Sequence, residues 1–94
     1  MGNAIVQAVM REESVQIGLL WFDDDPRKSL DVKIEQAAAR YREKYGRAPN
    51  ACYVSPDAGA PAGVRYGLRV VPARAIRPNY FWIGVDDSVP AARD

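Results

Sequence analysis

The sequence predicts an α+β fold: a single small domain in which one main helix packs on one face of a mixed sheet of about four to five strands. Only one long segment, residues 29–46, is amphipathic with helical spacing, whereas the other apolar runs are short and rich in β-branched and aromatic residues. With 94 residues, the chain is long enough for one hydrophobic core and too short for two. We therefore expect residues 1–94 to form one domain with the element order (β)βαβββ.

Two apolar runs precede the helix and predict a β-hairpin. Residues 4–10 form the first run, residues 15–22 (VQIGLLWF) form the second, and the polar turn Arg11-Glu12-Glu13 separates them. A short helical turn is the alternative for the first run. The second run lacks polar–apolar alternation over residues 19–22, which is typical of a strand that is buried on both faces near the centre of a sheet.

Residues 29–46 (SLDVKIEQAAARYREKYG) are predicted to form the helix that covers the sheet. Ser29 can cap the helix at its start, and Gly46 can adopt the left-handed conformation that ends it. A start at Asp25-Pro26 is the alternative, with Asp as the cap and Pro at the first helical position. Apolar side chains at spacings of three and four residues form one face of this helix: Leu30, Ile34, Ala37, Ala38, Tyr41 and Tyr45.

Three short apolar runs after the helix are predicted strands, at residues 51–55, 67–72 and 80–85. Residues 57–67 have the glycine- and alanine-rich composition of a loop, and residues 73–79 form a turn between two prolines. A strand, a helix and a strand in succession predict a right-handed crossover, which sets the strands before and after the helix parallel. We expect the polar residues 85–94 to form a frayed tail.

Composition argues against several classes of protein. The formal net charge is +1, so the overall charge favours neither a polyanion nor a membrane surface as partner. No apolar run approaches the length of about 18 residues that a membrane span needs, and the N-terminal MGNAIVQAVM lacks the basic start of a signal peptide. The single cysteine, Cys52, can form no internal disulfide and fits a reducing compartment. We therefore expect a cytoplasmic protein.

No pattern in the sequence predicts an enzyme or a cofactor. The chain contains no histidine, which removes the commonest general base and every histidine-based triad or zinc site. Cys52 lies in a predicted strand without a CxxC partner, so a buried, inert thiol is favoured over a nucleophile.

Aspartates follow two of the predicted strands and raise the alternative of a metal site. Asp23, Asp24 and Asp25 follow the second strand, and Asp86 and Asp87 follow the last. If these two strands were neighbours and parallel, Asp23, Asp25 and Asp86 would meet at one edge of the sheet and could hold a divalent cation for phosphoester chemistry. The favoured interpretation is simpler: acidic residues end the strand, and they stabilise the start of the following helix.

Basic side chains are concentrated in one segment of the chain. Residues 58–85 contain no acidic residue and four basic ones, all of them arginine. Arginine beside aromatic side chains is how many sheets bind single-stranded nucleic acid, and guanidinium groups suit bidentate contacts with phosphate. The alternative is a solvated outer face of a hairpin with the aromatic rings in the core. The candidate nucleic-acid-binding residues are Arg65, Arg69, Arg74, Arg77, Tyr66 and Tyr80.

The chain carries more bulky apolar side chains than one helix can cover. A single helix covers only part of one face of such a sheet, so we expect the rest to be buried by another copy or by a partner. The alternative is that the loop of residues 57–67 folds over that face. The candidate interface residues are Ile5, Val6, Val9, Trp21 and Trp82.

These observations favour a small non-enzymatic interaction module, either self-associating or an accessory subunit of a larger assembly. Its expected partner is another protein or a second copy of the chain. Binding of single-stranded nucleic acid through the arginine-rich segment is the first alternative function. A metal-dependent phosphoesterase at the aspartates is the second.

Overall fold

A computed structural model describes residues 4–9, 17–60, 63–65 and 67–86. Within these ranges one helix packs against a mixed six-stranded sheet, which confirms the predicted α+β class. None of the helices described there combines the length and the apolar character that crossing a membrane requires. In chain order the elements are β1 (Ala4–Val9), β2 (Ile17–Phe22), α1 (Leu30–Tyr45), β3 (Ala51–Val54), a single 3-10 turn (Pro56–Ala58), β4 (Gly63–Arg65), β5 (Leu68–Pro72) and β6 (Tyr80–Gly84).

All five predicted strands form, and the sheet contains one more. The additional strand, β4, is only three residues long and lies in the segment that the sequence predicts to be a loop. So short a strand has no periodicity that could reveal it. The first apolar run is a strand and not a helical turn, since β1 pairs antiparallel with β2 as the predicted hairpin requires.

The order of strands across the sheet is β1-β2-β6-β3-β5-β4. β6 is antiparallel to both β2 and β3, so β2 and β3 run parallel to each other, as the crossover through α1 predicts. They are not neighbours, however, because the last strand of the chain is inserted between them. The parallel pair in direct contact is β3 with β5.

The caps predicted for α1 are both present. The Ser29 hydroxyl accepts a hydrogen bond from the backbone N–H of Val32 at 3.2 Å, which satisfies one of the free donors of the first turn. Gly46 has a φ of 75°, and its N–H donates to the carbonyl of Arg42 at 2.8 Å. The alternative start at Asp25-Pro26 is not used, because α1 begins at Leu30.

The main core lies between α1 and the sheet. The helix contributes its predicted apolar face to this core, and the sheet contributes alternate residues of its inner strands. Its buried members are Leu19, Trp21, Ile34, Ala37, Ala38, Tyr41, Cys52, Val54, Ala60, Leu68, Val70, Phe81 and Ile83.

A second core lies on the opposite face of the sheet. It is covered by residues 73–79, called here the crossing loop, because this segment passes from β5 across the end of β3 to β6. Ala73 and Ile76 of the loop form this core together with Ala51, Tyr53 and Trp82 of the sheet. The crossing loop therefore covers part of the second face, which the sequence assigned to a partner or to residues 57–67. Of the latter segment, Ala60 packs in the helix-side core.

The frayed tail predicted for residues 85–94 does not include Asp86. Asp86 is buried, and its backbone N–H and carbonyl are both hydrogen-bonded to the Asn50 side chain, so the folded domain extends at least to this residue. Residues 87–94 lie outside the described ranges.

The covering role of the crossing loop can be tested with Ile76→Ala. We expect this substitution to lower the free energy of unfolding by about 2–4 kcal/mol, because it removes buried apolar volume above Trp82. Urea denaturation measures the change. The matched control is Val64→Ala, since the Val64 side chain is 57% exposed, and it should alter stability by no more than about 0.5 kcal/mol. Equal effects of the two substitutions would contradict a covering role for the loop.

Candidate functional site

Asp23 follows β2 directly and is buried at the point where the chain turns towards α1. Its carboxylate accepts hydrogen bonds from the Lys28 ammonium at 2.9 Å and from the backbone N–H of Asp25 at 3.0 Å. Burial opposes ionisation of this carboxylate, but the bonds from Lys28 and Asp25 outweigh it, and the pKa of Asp23 is lowered. Asp23 therefore serves as a buried anchor for the β2–α1 connection.

Asp25 holds the same connection at its outer side. It accepts hydrogen bonds from the backbone N–H of Arg27 at 2.9 Å and from the Arg27 guanidinium at 3.1 Å. Those bonds lower the pKa of Asp25 to about 2. Both aspartates are thus engaged by residues close to them in the sequence, within the connection between β2 and α1.

Asp86 lies at the other end of the sheet. β2 and β6 are neighbours but antiparallel. Asp23, which follows β2, and Asp86, which follows β6, therefore lie at opposite ends of these strands. Asp23 bonds to the backbone of Asn79, and the strand rise places Asp86 roughly 20 Å further along β6. The prediction that Asp23, Asp25 and Asp86 meet in one metal site is therefore wrong. In the described part of the chain, no group of three acidic or cysteine side chains is placed to hold a metal ion.

Asp86 has a structural environment that the sequence did not reveal. Its backbone N–H donates to the Asn50 side-chain carbonyl at 2.7 Å, and the Asn50 side-chain amide donates to the Asp86 backbone carbonyl at 3.1 Å. The Tyr53 hydroxyl donates to the Asp86 carboxylate at 2.5 Å. These bonds join the end of β6 to the start of β3. Asn50 and Tyr53 were missed because a residue that pairs across the sheet carries no local sequence signal.

The candidate interface residues fall into two groups. Trp21 is 6% exposed in the helix-side core and Trp82 is 1% exposed under the crossing loop, so neither side chain is available to a partner. Predicting them as interface residues is therefore wrong, because the chain buries both itself. Ile5, Val6 and Val9 lie in β1, whose backbone pairs with β2.

Three of the four candidate arginines belong to the face of the sheet opposite α1. Leu68 and Val70 of β5 enter the helix-side core, so the intervening Arg69 projects from the other face. The crossing loop on that face carries Arg74 and Arg77, both exposed. We call the surface formed by Arg69, Arg74, Arg77, Leu20 and Tyr80 the arginine face.

A pocket of about 330 Å³ opens on the arginine face. Leu20 and Tyr80 form its floor on the sheet, while Ala75, Ile76 and Arg77 contribute from the crossing loop. The Tyr80 ring lies 4.9 Å from the Phe22 ring, centroid to centroid, and is half-buried. The pocket is thus apolar and partly aromatic, with one guanidinium group among its lining side chains.

The structure gives less information about two further candidate residues, Arg65 and Tyr66. Arg65 lies in β4, next to β5 at the edge of the sheet, and Tyr66 lies outside the described residues. Tyr80 was predicted from its position in an aromatic run. Leu20, Ala75 and Ile76 were missed as pocket residues, because only the path of the crossing loop brings them together.

Comparison with known proteins leaves the function to be inferred from the chain itself. No protein-family model matches the sequence, and neither a curated protein nor a solved structure matches it significantly.

The anchoring role of Asp23 can be tested with Lys28→Met. At pH 7 this substitution leaves a buried carboxylate without its ammonium partner, and we expect it to lower the free energy of unfolding by about 1–3 kcal/mol. Because the folded-state pKa of Asp23 is lowered from 3.8, the pair stabilises the fold above that pH and its contribution is lost as the pH falls through the folded-state pKa. Urea denaturation at several pH values should therefore show the two proteins converging below about pH 4.

Arg27→Met is the matched control for this experiment. The Arg27–Asp25 pair is formed by an exposed guanidinium, so its removal should change stability much less than the removal of Lys28. A difference between wild type and Lys28→Met that does not shrink as the pH falls below 3.8 would contradict the role given to Asp23.

Cys52 is fully buried in the helix-side core, and burial raises its pKa to about 12. The thiolate that reacts with alkylating reagents is therefore almost absent at neutral pH. We expect iodoacetamide at pH 8 to leave the native protein unmodified and to modify Cys52 fully in denaturing urea, as measured by mass spectrometry. Rapid modification of the native protein would show that β3 opens readily or that the thiol is exposed.

Proposed function

We propose that the protein is a small interaction module that self-associates through the outer edge of β1. The observation that supports this proposal is the contrast between the two edges of the sheet. β1 pairs with β2 on one side only, and no strand among the described residues pairs with its other side. An unpaired edge presents a row of backbone N–H and C=O groups that another strand can bind.

β1 lacks the features that usually protect an edge strand. It is six residues long, and its sequence AIVQAV contains neither a charged residue nor a proline. The opposite edge strand, β4, is only three residues long and contains a glycine and an arginine. Short length and charge both discourage edge-to-edge pairing, so the β1 edge is the one that favours association.

A second copy of the same chain fits this edge. Two β1 strands related by a two-fold axis can pair antiparallel, which extends the sheet continuously through both copies and leaves no open end for further growth at β1. Because β1 carries no charge, no antiparallel register brings like charges together. The candidate interface residues Ile5, Val6 and Val9 all belong to this strand.

Charge substitutions at Gln7 test the proposal. Gln7 lies within β1, so two-fold antiparallel pairing places the two copies of this residue close together. Analytical ultracentrifugation over a range of concentrations should show a wild-type dimer and a monomeric Gln7→Lys variant. An equimolar mixture of the Gln7→Lys and Gln7→Glu variants should restore the dimer, because opposite charges then meet across the contact.

Val64→Lys is the matched control, since it introduces the same charge into the edge strand β4. It should leave the dimer intact. A wild-type protein that is monomeric up to high micromolar concentrations would overturn the proposal. A dimer that survives Gln7→Lys but dissociates with Val64→Lys would also overturn it, because the contact would then lie at β4.

A further inference from the structure

We infer that the arginine face binds single-stranded nucleic acid, with a nucleobase in the pocket beside Tyr80 and the backbone phosphates on Arg69, Arg74 and Arg77. The inference is independent of the proposed contact at β1. It rests on the charge, the shape and the chemistry of the arginine face, which lies on the side of the sheet opposite α1.

The charge of this surface is strongly one-sided. Arg69, Arg74 and Arg77 are exposed, and none of them forms an ion pair with a described residue. The segment of residues 58–85, which supplies all three, contains no acidic residue. Three unpaired guanidinium groups on one face of a small domain create a local positive potential, although the whole chain is nearly neutral.

The pocket supplies the second element of the inference. Its volume of about 330 Å³ is at the lower end of the range for ligand sites, which suits one planar ring system better than a large ligand. The Tyr80 ring is half-buried and held by its contact with Phe22, so it is accessible to a partner yet restrained. Because the ring is already restrained, stacking a base on it costs the protein little conformational entropy.

Arg77 joins the pocket to the charged surface. It lines the pocket together with Tyr80 and belongs to the same loop as Arg74. A ligand that places a flat apolar ring in the pocket and an anion at its mouth therefore satisfies both groups, and a nucleotide has this chemistry. An acidic peptide offers the anions but no obligatory planar ring, so the observations favour nucleic acid.

A single strand fits better than a duplex. In a duplex the bases are stacked and paired, so none can enter a pocket without being extruded, whereas the bases of a single strand are free to unstack onto protein aromatic rings. Arg69 on β5 and Arg74 and Arg77 on the crossing loop then offer guanidinium groups to phosphates of the same strand.

Fluorescence anisotropy with labelled poly-dT and poly-rU oligonucleotides of 20 nucleotides tests the inference on the full chain. We expect binding that weakens as salt is raised, and an Arg74→Gln/Arg77→Gln variant that binds roughly tenfold more weakly at low salt. Two lost phosphate contacts should reduce the slope of log affinity against log salt by about 1.4. Tyr80→Leu keeps an apolar side chain but removes the ring, and should weaken binding roughly five- to a hundredfold.

Arg42→Gln/Arg47→Gln is the matched control, since it removes two exposed arginines at the end of α1, away from the arginine face. It should leave affinity within about twofold of wild type. Absence of binding at low salt would overturn the inference. Equal losses in the two double variants would overturn it as well, because binding would then depend on total charge alone. Displacement of the oligonucleotide by a glutamate-rich peptide of comparable affinity would assign the surface to acidic protein partners instead.

Discussion

The whole sheet depends on the insertion of β6 between β2 and β3. This last strand pairs antiparallel with both neighbours, and it joins the N-terminal hairpin to the part of the sheet formed by β3, β5 and β4. Its side chains serve both cores, since Phe81 and Ile83 face α1 and Trp82 lies under the crossing loop. Neither core is complete without it, so a stable fold requires residues far apart in the chain to be in place together.

What the sequence predicts well in this protein is what neighbouring residues determine. Ser29 and Gly46 define the ends of α1 because a cap acts within one turn, and the strands appear as short apolar runs because burial selects their composition. The order of strands depends instead on contacts between distant segments. No local pattern in the sequences of β2 and β6 predicts that these two strands are antiparallel neighbours.

The same distinction explains the outcome for the candidate sites. Asp23 and Asp86 look equivalent in sequence because each follows an aromatic strand, yet the antiparallel pairing of those strands sends them to opposite ends of the sheet. In the sequence, Trp82 is one of several bulky apolar residues that the helix cannot cover. In the structure it belongs, with Ile76, to the core under the crossing loop. In contrast, three of the four candidate arginines lie on one face of the sheet, Arg69 through the alternation of β5 and Arg74 and Arg77 through the path of the crossing loop. Their role as a binding site stays a prediction.

Topology dictates where the crossing loop lies, but it does not dictate that the loop should be basic. The loop must pass from β5 to β6 across β3, and Ile76 and Ala73 suffice to cover the sheet beneath it. Its exposed positions need only be polar, and acidic residues promote solubility at least as well as basic ones. Yet Arg74 and Arg77 occupy the loop, Arg69 projects from the same face, and no acidic residue occurs within residues 58–85. The need for solvation does not predict this bias, whereas the inferred binding of an anionic partner does.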